Sequence, residues 1–428
     1  MSELIVDLHL HSKYSRATSK NLDLASLYQG AKIKGIDVLG TADFTHPLWF
    51  KELEDHLVLS ENGLYQIKPD LSSYLDATLP KSLSHRPIYF VPTVEISCIY
   101  RRHDRLRKLH IVVVMPSLEK ASQLNQRLDR LGNLSADGRP TLGLDSLELL
   151  KLCLDVSTNS LFIPAHIWTP WFGMFGSKSG FDSLEEAFGD MKSEIYAVET
   201  GLSSDPPMNW RVADLDSVTL VSNSDAHSQA KLGREASVIT GENSYQSIIE
   251  SIKTGDQRFK GTIEFFPQEG KYYGDGHRQC KVNLTPQETT LNNGLCPVCS
   301  KPVTVGVLNR VEEIATRLES KNEVQKSVEY IVPLPEIIAE LKNVKSPLSK
   351  TVQTEYLSVL SKLGDEFSIL RKVPITDIKN AGFSELARSI SAMRHGQVTI
   401  EPGYDGIFGR VSLDANSQDK TDQLSLLT

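Results

Sequence analysis

No stretch of the sequence approaches the roughly 18 consecutive apolar residues that a membrane-spanning helix needs, so no contact with the bilayer interior is expected. The opening, MSELIVDLHLHS, also lacks a basic stretch followed by a long apolar one; without such a secretory layout a cytoplasmic location is expected. Cysteine is scarce, 5 residues in 428 and an odd number, which argues against a disulfide framework. Basic charge is not in excess either. With 46 Lys and Arg against 54 Asp and Glu the net charge is −8, so the surface as a whole is not suited to non-specific nucleic-acid binding. Long polar runs are absent before the last dozen residues, and with 40% hydrophobic and 23% charged residues the chain should fold almost throughout.

What is present is a series of short apolar, β-branched runs at 4–9, 38–44, 88–97, 109–115, 161–167, 195–200 and 218–227. They read as seven strands. Helical patterning lies between several of them, at 22–36, 118–132 and 146–156, which is the alternation of βα units and predicts an α/β parallel barrel. This barrel should occupy 1–265. A stretch rich in turn residues and metal-ligand types, 266–310, reads as a zinc-binding module; helical patterning resumes over 311–415, and 416–428 reads as a loose tail.

Chemistry-bearing side chains cluster late in those strands: His9, His11, Asp43, Glu95, His166, Glu199, Asp225 and His227. Barrel enzymes place their active residues at that rim. His110 instead opens its run, as a hairpin returning from 88–97 would require. A lone buried histidine is more often a hydrogen-bonded core residue, but two pairs change the balance. In His9-Leu10-His11 and Asp225-Ala226-His227 the ligand types stand at i and i+2, so an extended backbone turns both to one face. Imidazole and carboxylate grouped in this way point to a metal site, with Asp7 on the same face as a supporting partner.

Three further features suggest a large polyanionic ligand. Between 101 and 108, RRHDRLRK gathers Arg101, Arg102, Arg105, Arg107 and Lys108 at a hairpin tip expected over the metal site; a solvated tip is the plainer alternative. The segment 166–181 carries Trp168, Trp171, Phe172, Phe175 and Phe181 among glycines and serines, with Lys178 beside them. It reads as a lid whose aromatics could stack on bases, with core packing the plainer alternative. Finally, His277-x2-Cys280 and Cys296-x2-Cys299 have the spacing of a closed, structural four-ligand zinc site.

The strand-end motifs resemble the polymerase and histidinol phosphatase (PHP) family: DLHLHSKYS (7–15), GTADFTH (40–46), PAHI (164–167) and SNSDAH (222–227). The resemblance implies a distorted, TIM-like seven-stranded βα barrel. It also implies two or three divalent metals, zinc or else manganese or magnesium, held by His9, His11, Asp43, Glu95, His110, His166, Asp225 and His227. His46 stands three residues past Asp43 as a substitute for the third-metal position, and Asp225, His227 and Glu95 are the residues closest to catalysis. So many ligands imply bridged metals and phosphoester hydrolysis, with Lys13 and Arg16 helping to hold the phosphate.

The spellings GTADFTHPLW, GDGHRQC, CPVCSKPVTVGVLNRVEEIA and PGYDGIFG, in this order, further resemble the endonuclease Q family. That likeness implies a DNA-repair endonuclease cutting 5′ to deoxyuridine, hypoxanthine, xanthine or an abasic site. Trp171, Phe172, Phe175 and the basic residues would then contact damaged DNA whose target nucleotide is flipped out. A repair enzyme could also carry a sliding-clamp segment in the tail 418–428. Two rivals use the same residues: a small-molecule phosphatase of the histidinol-phosphate type, and a non-catalytic zinc-containing DNA-binding protein.

Overall fold

The structure, a computed structural model, describes residues 2–83, 86–320 and 326–413. The expected tail and its clamp segment lie outside these. The chain forms two compact units: Met1–Leu79, Arg86–Glu264 and Val307–Glu329 in one, and Pro80–His85, Phe265–Gly306 and Tyr330–Thr428 in the other. The stretch expected to open the C-terminal domain at 311 thus begins within the first unit. It is held there by Arg310, whose buried guanidinium donates to the carbonyls of Phe175 and Phe181 at 3.0 and 3.2 Å.

In the first unit the strands are β1 (Ser2–Asp7), β2 (Val38–Gly40), β3 (Leu57–Leu59), β4 (Tyr65–Ile67), β5 (Tyr89–Val91), β6 (Thr93–Arg102) and β7 (Arg105–Val114). They continue with β8 (Thr141–Leu142), β9 (Leu161–Pro164), β10 (Ala197–Glu199), β11 (Thr219–Val221), β12 (Ala236–Gly241) and β13 (Phe259–Glu264). Every expected run contains a strand. The run 88–97 is divided at Pro92, which has no N–H to donate to a ladder.

The pairing is mixed, not all parallel. β1, β2 and β5 pair in parallel, as do β10 and β11, whereas β7 is antiparallel to both β6 and β9. The cause is local: His103 and Asp104 both adopt positive φ, 52° and 58°, forming a two-residue turn that sends the chain straight back. Backbone bonds then run from Ile167 N to Glu199 O (3.1 Å), joining the end of β9 to β10, and a parallel bridge joins Leu10, beyond β1, to Ala226, beyond β11. The interior is filled by apolar side chains from successive strands, among them Val6, Val38, Val91, Val112, Ile163, Ala197 and Val221.

In the second unit β14 (Asp275–His277) and β15 (Val282–Leu284) form a small hairpin. Helices follow at Leu334–Leu341, Lys350–Leu363, Glu366–Arg371, Ile375–Asn380 and Ser384–Arg394. Leu334, Ile338, Val352, Leu360, Phe367 and Ile390 are fully buried among them. A short pair, Thr399–Glu401 with Arg410–Ser412, adds strand to a stretch expected to be helical. Among the described residues no helix is long and apolar enough to cross a membrane.

Candidate metal centre

The two ligand tripeptides are laid side by side by the chain itself. Leu10 and Ala226 form the bridge, His11 N donates to Ala226 O (3.0 Å) and Asp225 N to His9 O (2.8 Å). The turn before Asp225 is braced from beneath: Asp7 accepts from Ser224 N (3.0 Å) and Gly233 N (3.2 Å), while Arg234 donates to the carbonyls of Ser224 (2.7 Å) and Asp225 (3.1 Å). Asp7 therefore supports the Asp225 turn instead of backing His9, and burial pushes its carboxyl up to about 6. Ala42, Asp43, His166 and Asp225 all hold positive φ. Strained backbone at non-glycine residues collects at functional sites, where surrounding structure enforces it.

His9, His11, Glu95 and Asp225 each offer a ligand atom, all within 4.8 Å of one another, and Glu95, His110 and His166 form a second such group. Glu95 belongs to both. Its carboxylate lies 2.6 Å from His110 Nδ1, 3.1 Å from His166 Nε2 and 3.3 Å from His11 Nε2. A carboxylate shared by two histidine groups is the arrangement of a bridging ligand.

Second partners set the histidine tautomers. His9 Nδ1 lies 2.9 Å from Glu199 Oε2, so it donates there and leaves Nε2 with a lone pair; that atom is buried without any hydrogen-bond partner. Glu199 also accepts from His166 N (2.8 Å) and Asn223 Nδ2 (2.9 Å). His11 Nδ1 faces Asp43 at 3.3 Å in the same way. Histidines oriented by carboxylates, with lone pairs converging on one space, are the usual preparation of a metal site, and the unpartnered Nε2 of His9 lies among ligand atoms that a cation would satisfy.

The electrostatics agree. Burial alone would raise Glu95, but His110, His9 and hydrogen bonds from His11 outweigh it and hold the carboxyl well below the ordinary range. Burial works against charging His9 and His11 too, yet the surrounding carboxylates push both well above the usual imidazole value. The centre thus attracts positive charge strongly. His110, by contrast, is pulled down to about 4 by burial, and remains neutral and able to coordinate.

Three expected ligands stand elsewhere. Asp43 Oδ2 is saturated by Ser12 N, Ser12 Oγ and Ser15 Oγ at 2.7, 2.7 and 2.8 Å, so Asp43 acts on His11 and lies outside both groups. His46 is stacked on Tyr14 with centroids 4.2 Å apart, immediately before the helix that Pro47 begins, and belongs to neither group. His227 packs beside His11 at 4.5 Å; its Nδ1 donates to Asp225 O (2.9 Å), leaving a basic Nε2 on a side chain 31% exposed.

The expected DNA contacts divide sharply. Arg102 is bound to Asp145 and to the carbonyl of Ala187, and Arg107 is buried over the Phe181 ring with Glu186 at 2.6 Å; neither is available to a ligand. The hairpin tip lies roughly 17 Å along the extended β7 from His110, so it is not poised over the centre. Phe175 is fully buried against Trp168 and cannot stack on a base. The loop 166–181 is no loose lid, because Phe175 N bonds to Ile167 O (2.7 Å) and Phe181 N to Met174 O (2.6 Å).

Trp171 remains 52% exposed, with Lys108 4.9 Å from its ring, and Phe172 lies against His110 at 4.4 Å. Arg101, Arg105 and Lys178 are exposed. Lys13 pairs with Glu52 at 2.8 Å, and Arg16 with Asp137 at 3.2 Å while 83% exposed. Arg139, absent from the sequence reading, reaches Glu95 at 3.0 Å. Within GRP, in the loop that leads into β8, no local pattern could have marked it.

In the second unit His277, Cys280, Cys296 and Cys299 bring their ligand atoms within 4.8 Å of one another. Ser300, in the left-handed region at φ 57°, closes the turn by donating from its N–H to Cys296 O at 2.8 Å.

Comparisons with known proteins give matches of three kinds: a family model, sequence relatives and solved structures. A family model described as the MJ0043 C-terminal domain matches residues 333–397. The uncharacterized protein YqxK of Bacillus subtilis is 28% identical over 96% of this chain and 100% of its own length. The uncharacterized protein MJ0043 of Methanocaldococcus jannaschii is 28% identical over 60% of this chain, which covers 33% of that protein. Among solved structures, the lesion-specific endonuclease PfuEndoQ from Pyrococcus furiosus has a TM-score of 0.82 at 27% identity, covering 98% of this chain and 99% of that one. Endonuclease Q in complex with a 27-mer duplex substrate bearing an abasic lesion at its active site gives 0.80 at 27% identity, covering 97% and 98%.

Proposed function

We propose that this chain, similar to endonuclease Q along nearly its whole length, is a metal-dependent DNA-repair endonuclease that hydrolyses the phosphodiester 5′ to a damaged nucleotide. Deoxyuridine, hypoxanthine, xanthine and abasic sites are the proposed lesions, and the fold is proposed to be the distorted PHP barrel. The observation that carries the reading is Glu95, shared by two histidine groups in one buried centre.

His9, His11 and Asp225 would hold one divalent metal and His110 and His166 another, with Glu95 between them. Such metals, when bound, supply a water of pKa near 7 and neutralise charge on the phosphoryl oxygens. The residues of the chain do the rest. Glu199 and Asp43 fix the imidazole tautomers; His227, with Nδ1 committed to Asp225 O, presents a basic Nε2 at the mouth for a proton. Trp171, Phe172, Lys108, Lys178, Arg105 and Arg101 are the groups placed to meet DNA. His277, Cys280, Cys296 and Cys299 would hold a structural zinc.

Incubating a labelled duplex containing one deoxyuridine with zinc, manganese or magnesium tests this reading. A single cut 5′ to the lesion, absent from the undamaged duplex and lost in Asp225→Ala, is expected. Failure to cut under any metal, together with turnover of a phosphomonoester, would replace the proposal with a small-molecule phosphatase.

A further inference from the structure

Glu95 has four imidazoles around it, from His9, His11, His110 and His166, yet a guanidinium also reaches it. Arg139 Nη1 donates to Glu95 Oε2 at 3.0 Å, from a side chain that is 25% exposed while Glu95 itself is sealed. The segment carrying it is pinned on both sides. Gly138 N donates to Tyr14 O (3.0 Å), Thr45 Oγ1 to Gly138 O (3.3 Å), and Ser97 N to Pro140 O (2.9 Å). Gly138 lies so close to the centre that a Cβ there would come within 2.2 Å of Asp43 Oδ2. The acidic neighbour on the same loop, Asp137, is paired with the Arg16 guanidinium and accepts the backbone N–H groups of Arg16 and Arg139.

Resting on the phosphoesterase reading above, we propose that Arg139 is the residue that grips the scissile phosphate, with Glu95 as its partner when no phosphate is bound. A guanidinium has five donors in a planar fork matched to phosphate oxygens, and Glu95 takes one of Arg139's. With the side chain 25% exposed beside a sealed Glu95, the remaining donors are within reach of a phosphodiester arriving from solvent. A purely structural ion pair would have no need of a cation at the opening of a site already crowded with imidazoles.

The test uses the full-length protein loaded with zinc, and inorganic phosphate as the probe in isothermal titration calorimetry. Arg139→Met should bind phosphate at least about tenfold more weakly than wild type, since it loses a charge-assisted hydrogen bond to the anion. Arg139→Lys, which keeps the charge but loses the fork, should fall between. Metal affinity, titrated separately, should be unchanged or tighter in Arg139→Met because a competing cation has left Glu95. Equal phosphate affinity in all three proteins would overturn the inference, and so would loss of metal from Arg139→Met, which would make Arg139 a strut of the ligand set. If wild type itself bound no phosphate with metal present, the phosphoesterase reading would fall instead.

Discussion

Leu10 and Ala226, separated by more than two hundred residues, pair as neighbours in a parallel bridge, and this pairing aligns the two ligand tripeptides. Each contributes an apolar side chain to the core, at 1% and 0% exposure, while the residues on either side supply the imidazoles and carboxylate. The site therefore depends on the pairing of two strand ends more than on any loop.

Asp43→Asn and Glu199→Gln are each expected to lower metal affinity by about 10–100-fold, because each removes the carboxylate that orients a histidine. Isothermal titration measures the affinity, and excess metal should restore cleavage. Unchanged binding in both variants would show that neither carboxylate orients its histidine.

Trp171 and Phe175, four positions apart in the sequence, should behave oppositely. Trp171→Ala should weaken binding of a lesion-containing duplex by about 1–3 kcal/mol with an unaltered melting temperature, as expected for an exposed stacking platform. Phe175→Ala should instead cost about 3–5 kcal/mol of stability through the cavity it leaves. Denaturant titration and fluorescence anisotropy separate the two effects.

Cys299→Ser should abolish retention of one zinc equivalent and open the 275–306 region to protease, since a closed structural site contributes folding free energy directly. Metal analysis with limited proteolysis provides the check. Full zinc content in the variant would rule out four-ligand binding there.

Glu264 makes stability depend on pH. Its carboxyl is pushed up to about 8, chiefly by burial and against the hydrogen bond from Ser222. Between its ordinary value of 4.5 and 8 the unfolded chain loses this proton while the folded chain keeps it, so stability falls as pH rises through that window. The loss is at most roughly 5 kcal/mol. Glu264→Gln should flatten this part of the profile and be the more stable protein at pH 9; denaturation at pH 5 and pH 9 in chelator would reveal it, and parallel profiles would refute it.

Much of this molecule is written locally. Short apolar, β-branched runs placed all seven expected strands, and i, i+2 pairs of ligand types announced His9, His11 and Asp225, because a strand's geometry determines which side chains share a face. Spacing alone likewise marked His277, Cys280, Cys296 and Cys299. Which ligand-type residue would point inward was not local. Asp43 is turned to His11 by three donors from 12–15, and His46 is drawn onto Tyr14.

The basic and aromatic clusters misled for the same reason. Composition cannot distinguish Arg107, buried over Phe181, from exposed Arg105, nor Phe175 in the core from Trp171 in solvent. Arg139 had no signal at all, since its partner Glu95 is 44 residues away and only the docking of the 133–140 loop brings them together. The sequence by itself determined the residue types and their spacing along extended backbone; tertiary packing decided orientation, burial and partnership, because those depend on contacts between segments remote in the chain.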